Sequence, residues 1–366
     1  MNIFFDHQTF TLQNYGGISR YFCELIKGIN NTDDNNAHLS LLWSNNVHLK
    51  EYNIPVIPYP FSKKRRLYYK SNTLFNCIDN KIKSYDIYHA TYFDDFLVSS
   101  IGQKPFVTTF YDMTYERLSN RFAELSADKT IFAQKQKVVQ KASHLIAISE
   151  STKLDMIEML DVLPEKITVI HLGSPFVQHD ATNKNENSAP NASPYLLYVG
   201  NRSSYKNFIP FLRAVAQILI KYRVKLVCAG GGEFSPKEIE VIKSWNLNNL
   251  IEYKDVNDKI LQGLYKGAIA FVFPSLYEGF GIPVLEAFSC NCPCVLSNIS
   301  SLPEVAGDAA LYFDPDNKDS MEASVEKILL DSALRAKLIQ LGREQLSLFS
   351  WQKTVNSTLD LYNKLH

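Results

Sequence analysis

Pro274-Ser275-Leu276-Tyr277-Glu278-Gly279-Phe280-Gly281-Ile282-Pro283-Val284-Leu285-Glu286 follows the apolar run 268–273, and its reading decides the fold. A short β-branched and aromatic run that stops at a glycine-flanked loop reads as a strand tip. Pro283 suits the first turn of a helix, where a missing N–H costs nothing. The stretch is therefore a strand–loop–helix unit, and a helix opening just past a strand tip offers unpaired N–H groups to a phosphate. Glu286, one turn in, is placed to accept from ribose hydroxyls, and Glu278 in the loop is free to reach a sugar ring. The competing reading makes Glu278 a surface carboxylate and Glu286 a partner of the helix dipole. Two glutamates in this setting favour the ligand.

Outward from that unit, short apolar runs alternate with helical patterns on both sides. Strand candidates before it are 2–5, 39–43, 87–90, 106–110, 145–148, 167–171, 195–199, 224–229 and 251–253; after it come 292–296 and 310–313. Helical patterns such as 18–29, 128–141 and 150–160 lie between them, the last behind Ser149 as N-cap. Alternation of this kind predicts an α/β fold with parallel sheets covered on both faces. The polar stretch 178–194, rich in Asn, Ser and Ala and punctuated by prolines, reads as a linker. It divides the chain into Rossmann-like, doubly wound halves at 1–177 and 195–350, with ligands expected beyond the carboxyl ends of the strands, in a cleft between the halves.

A length of 366 residues agrees with two domains. The 38 basic residues balance 38 acidic ones, so no global field calls for nucleic acid, and an anionic ligand needs a local site. The start, Met-Asn-Ile-Phe-Phe-Asp-His, lacks the pattern of a signal peptide, and no apolar run is long enough to span a bilayer. Six cysteines form no C-x-x-C pair; Cys290, Cys292 and Cys294 read as buried strand residues rather than metal ligands. A cytoplasmic location is expected.

Three further segments carry chemistry. Asn14-Tyr15-Gly16-Gly17-Ile18-Ser19-Arg20 opens a helix after the first strand, where Gly16 and Gly17 let a phosphate approach the backbone; a glycine pair also marks an ordinary turn. Gly200-Asn201-Arg202-Ser203-Ser204-Tyr205-Lys206-Asn207 puts two cations, Arg202 and Lys206, at a strand end where a diphosphate could be clamped. Lys63, Lys64, Arg65 and Arg66, followed by Tyr68, Tyr69 and Lys70, form a dense basic cluster, read either as a solvated face or as a contact for anionic headgroups. The adjacent pair Asp94-Asp95 reads as solvated. Gly230-Gly231-Gly232 admits a nicotinamide-dependent oxidoreductase, although it follows the second strand of its half.

The Glu278-to-Glu286 spacing, the Tyr-Val-Gly-Asn-Arg-Ser-Ser-Tyr-Lys-Asn segment, the Gly16-Gly17 loop and Phe349-Ser350-Trp351 together resemble the family-four retaining glycosyltransferases, nearest to bacterial O-antigen and surface-polysaccharide enzymes. The resemblance implies a GT-B fold: an acceptor-binding first domain, a nucleotide-sugar-binding second domain, and a last helix within 351–366 that returns to the first. It implies that Arg202 and Lys206 hold the diphosphate, Glu286 the ribose, and Glu278 the transferred sugar. The backbone of Gly279, Phe280, Gly281 and Ile282 would line sugar and phosphates, with Gly16 and Gly17 closing over them. A hexose, from GDP-mannose or a related donor, would pass to a saccharide or polyprenyl-linked saccharide without a metal or other cofactor. One departure stands out. The family commonly has a His-Asp pair where this chain has Tyr111-Asp112, so Tyr111 takes the place of the sugar-contacting histidine. His89 is the other candidate, facing a ligand or lying satisfied in the core. A catalytically silent sugar-nucleotide-binding protein also fits this departure.

Overall fold

Strands covered on both faces need continuous apolar runs, and the chain supplies them in Ile3-Phe4-Phe5, the five buried residues Phe106–Phe110, and Ala270–Phe273. The computed structural model describes residues 1–60, 64–125, 130–176 and 193–366. The chain divides into two units, Met1–Gly173 with Ser350–His366, and Ser174–Phe349.

In the first unit, β1 (Asn2–Phe5), β2 (Asn36–Leu39), β3 (Ile87–Ala90), β4 (Phe106–Phe110), β5 (His144–Ala147) and β6 (Ile167–Val169) form a parallel sheet of order β2-β1-β3-β4-β5-β6. Its helices are α1 (Gln8–Leu12), α2 (Gly17–Asn30), α3 (Val47–Glu51), α4 (Arg65–Ile82), α5 (Asp95–Ser99), α6 (Thr114–Leu118), α7 (Thr130–Lys141) and α8 (Glu150–Leu160). Ser149 caps α8, accepting from Thr152 N.

The second unit holds α9 (Phe208–Tyr222), α10 (Pro236–Ser244), α11 (Asp258–Gly267), α12 (Ile282–Ser289), α13 (Leu302–Ala306), α14 (Lys318–Leu330) and α15 (Ser332–Leu346). Its strands β7 (Tyr195–Val199), β8 (Lys225–Ala229), β9 (Ile251–Lys254), β10 (Ala270–Phe273), β11 (Cys294–Ser297) and β12 (Ala310–Phe313) take the parallel order β12-β11-β10-β7-β8-β9. Leu196, Phe211, Val215, Leu226 and Val272 sit in its core. The final helix α16 (Trp351–Leu365) belongs to the first unit, where Ser350 caps it and Thr354 Oγ1 donates to His171 O at 2.7 Å.

Two features differ from the sequence reading, and two segments fall outside the described residues. The strand expected at 39–43 ends at Leu39, because Asn72 Oδ1 accepts the backbone N–H of Leu42 and Trp43 at 3.2 and 2.9 Å and holds them out of the sheet. The basic cluster opens a helix, α4, that the sequence does not announce. Its buried residues are Tyr68, Asn72, Asn76 and Asp79, while its leucines and isoleucines face out, inverting the usual amphipathic pattern. Most of the expected linker, 178–192, lies outside the described residues, as does Lys63.

Candidate functional site

In the second sheet the chain runs from β7 outward to β8 and β9 on one side, then returns to β10 on the other. The strand order therefore reverses between β7 and β10, where open parallel sheets bind their ligands. The loops leaving those two strand tips are the ones that carry Lys206 and Glu278.

Leaving β7, the chain turns at Gly200, and Asn201 Oδ1 accepts from Ser203 Oγ at 2.8 Å. A tight turn at Ser204–Lys206 then leads into α9. Leu276 N donates to Tyr205 O at 2.8 Å, so the β7 and β10 loops are joined through their backbones. Across that joint, Lys206 Nζ donates to Glu278 Oε1 at 2.6 Å, with the two side chains 15% and 12% exposed. Glu278 is further positioned by its backbone: its N–H donates to Ser300 Oγ at 3.0 Å, and Ser301 Oγ donates to its carbonyl at 2.9 Å.

Gly281 caps α12 with φ +99, a left-handed conformation that glycine adopts without strain, and a Cβ there would lie 2.8 Å from Leu302 Cδ2. The expected helix start at Ile282-Pro283 is present, and Glu286 sits one turn in, buried. Tyr265 Oη donates to Glu286 Oε2 at 3.0 Å. Burial, and next the Glu286 carboxylate, hold the Tyr265 hydroxyl well above its usual range, so it remains the donor. Ser275 Oγ, in the same loop, is buried and without a hydrogen-bond partner.

Arg202 is held within its own unit. Its side chain is 3% exposed, and four of its five N–H donors are engaged there. Nε meets Glu238 Oε1 at 2.6 Å, Nη1 donates to Gly230 O at 3.1 Å, and Nη2 donates to Gly232 O and Glu233 O at 2.7 and 2.9 Å. The Phe234 ring lies 4.8 Å away. Burial pushes the Glu238 carboxyl up, but hydrogen bonds from Ser235 and Arg202 outweigh it and leave the group below the usual carboxylate range. Arg202 thus staples the Gly230-Gly231-Gly232 loop with most of its donors. The loop itself is left-handed at all three glycines, and a Cβ on Gly231 would strike the Gly200 carbonyl. This packing role accounts for the glycines without a dinucleotide.

In the first unit, His89 and Tyr111 both pack against Phe22, with ring centroids 5.3 and 6.4 Å from it. Gly16 caps α2, and a Cβ there would meet Gln13 Oε1 at 2.5 Å; Ser19 Oγ donates to its carbonyl at 2.9 Å. Of its two readings, His89 takes the second, a satisfied core histidine. It is fully buried, with Nδ1 2.5 Å from Tyr362 Oη and Nε2 2.9 Å from Thr109 Oγ1. Burial lowers its pKa to about 3, so it is a neutral core histidine that ties α16 to β3 and β4. Tyr111 is 7% exposed, and its hydroxyl donates to Thr91 O at 3.3 Å. Burial holds that hydroxyl well above its usual range. Asp112 is half-buried; Oδ1 accepts from Thr114 N at 3.0 Å, and its carbonyl accepts from Lys135 Nζ at 3.0 Å. Asp94 is not simply solvated: it caps α5 and accepts from Tyr69 Oη at 2.6 Å.

Sequence reasoning missed the supports, Ser300, Ser301 and Tyr265. Tyr265 falls at a helical spacing that reads as core, and the serines lie in a loop with no charge to mark it. Also missed was Asp6, which follows β1 at the first sheet's own reversal and accepts from Thr91 Oγ1 at 2.5 Å and Gln8 Nε2 at 2.8 Å. Burial raises its pKa to about 6.

Comparison with known proteins agrees with this geometry. Residues 180–345 match the family described as glycosyl transferases group 1, and residues 15–174 match Glycosyltransferase Family 4. An O-antigen chain mannosyltransferase B of Escherichia coli is 35% identical over 175 residues, 47% of this chain and 46% of that protein, so the chain matches under half of that relative's length. In fold, the chain superposes on sucrose-phosphate synthase from Thermosynechococcus elongatus with a TM-score of 0.77 at 17% identity, covering 100% and 98% of the two chains. Anabaena Alr3699/HepE, solved in complex with UDP and glucose, gives a TM-score of 0.75 at 16% identity, covering 99% of each. Two six-stranded parallel sheets with these likenesses constitute the GT-B fold, and the chain belongs to the family 4, group 1 glycosyltransferases.

Proposed function

We propose that this chain is a retaining hexosyltransferase that moves a sugar from GDP-mannose, or a related nucleoside-diphosphate hexose, to a saccharide or polyprenyl-linked saccharide during synthesis of a bacterial surface polysaccharide. The observation that carries the reading is the Lys206–Glu278 pair at the β7/β10 reversal, with Glu286 one turn into the following helix. Departure of a nucleoside diphosphate builds negative charge on phosphate and positive character on the sugar. An ammonium and a carboxylate, fixed side by side at a strand-tip crevice, answer those two charges.

In this reading the second unit holds the donor. Lys206 and the N–H groups at the start of α12 take the diphosphate, with the backbone of Gly279, Phe280, Gly281 and Ile282 along it. Glu286 accepts from the ribose, and Glu278 lies against the sugar. The first unit takes the acceptor, with Gly16 and Gly17 at the mouth of its α2. Positive charge from Lys206 and the helix start makes a metal unnecessary. The mannosyltransferase relative supports a mannose donor, and the cytoplasmic side of the inner membrane is where such an acceptor is met, through Lys63, Lys64, Arg65 and Arg66.

The test is a thermal-shift titration with GDP, UDP, GDP-mannose, UDP-glucose and NAD, followed by sugar transfer in a strong chelator. Binding to the native state raises stability by mass action. GDP-mannose should stabilise the chain and transfer should continue in chelator. Stabilisation by NAD alone, or an absolute need for manganese or magnesium, would overturn the reading.

A further inference from the structure

α4 wears its hydrophobic residues on the wrong side for a helix that serves only its own core. Leu67, Leu74, Ile78 and Ile82 are 59, 64, 50 and 74% exposed. At about 100° per residue they fall within roughly 80° of one another, a single stripe along the helix. The face turned inward is held by polar contacts instead, with Asn72 bonded to Trp43 and Thr11, and Asp79 to His38. Burying an aliphatic side chain gains roughly 1.5–3 kcal/mol, so an outward stripe of four forgoes a large stabilisation unless something covers it.

Beside the stripe is a cavity of about 760 Å³, within the roughly 300–1,000 Å³ usual for ligand pockets. Leu12 of α1, Leu74 of α4 and Phe96 of α5, itself 63% exposed, supply its apolar wall, and Arg65, Arg66 and Lys70 border it. The cations continue along the helix with Lys81, and Lys64 and Lys83 flank it. The carboxylates nearby are engaged: Asp79 by His38 at 2.6 Å, and Asp94 by Tyr69 and by Phe96 N. Asp95 begins α5. An apolar stripe with a cationic border is the pattern of a helix lying in the headgroup plane of an anionic bilayer.

We propose that this groove takes one hydrocarbon chain of an anionic bilayer phospholipid, its phosphate resting between Arg66 and Lys70, while the α4 stripe beds into the interface. This deepens the membrane contact proposed above by adding a chain-binding site to charge attraction, and it rests on that contact but not on the donor chemistry. The inverted helix selects an amphiphile, and charge complementarity selects an anionic one over a neutral one.

The full chain is sedimented with vesicles of phosphatidylcholine alone and of equal parts phosphatidylcholine and phosphatidylglycerol, at low and high salt. Dodecyl phosphate below its micelle concentration and inorganic phosphate are compared in thermal shift. Binding to the mixed vesicles alone is expected. Leu74→Asn with Phe96→Asn should weaken it about tenfold or more even at low salt, whereas Arg66→Gln with Lys70→Gln should weaken it similarly and flatten its salt dependence. Cys77→Trp, which fills the cavity, should remove the dodecyl phosphate shift; inorganic phosphate should give none. A cooperative melting transition recorded on every variant shows that it is folded, and nucleoside diphosphate shifts measured beside it separate this proposal from the donor reading, since either can fail while the other holds. Equal binding to neutral vesicles, or binding indifferent to Leu74 and Phe96, would overturn the proposal. So would concentration-dependent self-association abolished by the same two substitutions, which would make the stripe an interface between copies.

Discussion

Lys206 Nζ and Glu278 Oε1 stand 2.6 Å apart, although they come from loops 72 residues apart in sequence. Both side chains are more than four-fifths buried, and the pair is a close contact between opposite charges. Removing one partner of such a pair leaves a desolvated charge behind, at a cost of up to about 3–5 kcal/mol. Lys206→Ala should therefore lower stability more than Lys206→Ala combined with Glu278→Ala, a sign that urea unfolding of the three variants will read. The two single variants should also part in function. Lys206→Ala should lose nucleoside diphosphate affinity by roughly 1.5–3 kcal/mol, the worth of a charge-assisted contact. Glu278→Gln should keep that affinity and lose turnover. Equal effects of both on affinity would remove the division of roles.

Arg202 is expected to behave as a structural residue. Its fork holds three backbone carbonyls of the Gly230-to-Glu233 loop and a buried carboxylate. Lysine keeps the charge but not the fork. Arg202→Lys should destabilise the second unit by about 2–4 kcal/mol, with Glu238 left partly unpaired. At temperatures where the variant is fully folded, its donor affinity should stay within about threefold of wild type. A hundredfold loss of affinity with unchanged stability would return Arg202 to the phosphate.

What the sequence disclosed and what it hid have a common cause. The bounds of β1, β3, β4, β7 and β12 were legible because doubly covered strands are continuous apolar runs ended by a turn. The Glu278-to-Glu286 unit was legible because strand, loop and helix start are contiguous. Partners distant in sequence were not. Nothing near Arg202 reveals that Glu238 will capture it, and nothing near Leu42 and Trp43 reveals Asn72. α4 shows a different limit: its stripe has helical spacing, but pattern reading assigns apolar positions to the core, and here they face out.

Acid should loosen the first unit through its buried histidines. His89 has a pKa lowered from 6.5 to about 3, and His7 is lowered likewise, both by burial. A depressed folded-state pKa means that the unfolded chain binds more protons in between, so this stability is complete above about 6.5 and drains away as pH falls toward 3. Asp6 acts with the opposite sign: its pKa, raised to about 6, adds stability at low pH that is lost as pH rises through 6. Two histidines outweigh one aspartate, so the melting temperature should fall between pH 7 and pH 4. His89→Gln should be less stable at pH 7, having lost part of its contact with Tyr362 and Thr109, yet should show a shallower acid slope. Parallel melting curves for variant and wild type across that range would mean that His89 does not carry the linkage.

Tyr111 stands where the resemblance leads one to expect a sugar-contacting histidine, and its geometry bears on what a tyrosine can do there. The ring is 7% exposed and packs edge-on to Tyr21 and Phe22, at centroid distances of 6.1 and 6.4 Å. Its hydroxyl donates to the Thr91 carbonyl at 3.3 Å, a long bond between neutral groups. A hydroxyl so placed is spent within the wall, and burial prevents it from ionising at any working pH. Tyr111→Phe keeps the packing and removes one neutral hydrogen bond, worth about 0.5–1.5 kcal/mol at most. The expected outcome is a small drop in melting temperature with sugar transfer within twofold of wild type at saturating donor. Tyr111→His is the sharper experiment. Imidazole is smaller than the phenol it replaces, so the change opens space among Tyr21, Phe22 and Thr91 and should cost more stability than Tyr111→Phe. If the ring nonetheless reached a bound sugar, a new titration near neutral pH would enter the rate profile, because imidazole gains a proton in that range. The wall reading predicts the stability loss without the titration. A tenfold loss of turnover in Tyr111→Phe, with no change in melting temperature, would place the hydroxyl on the sugar instead.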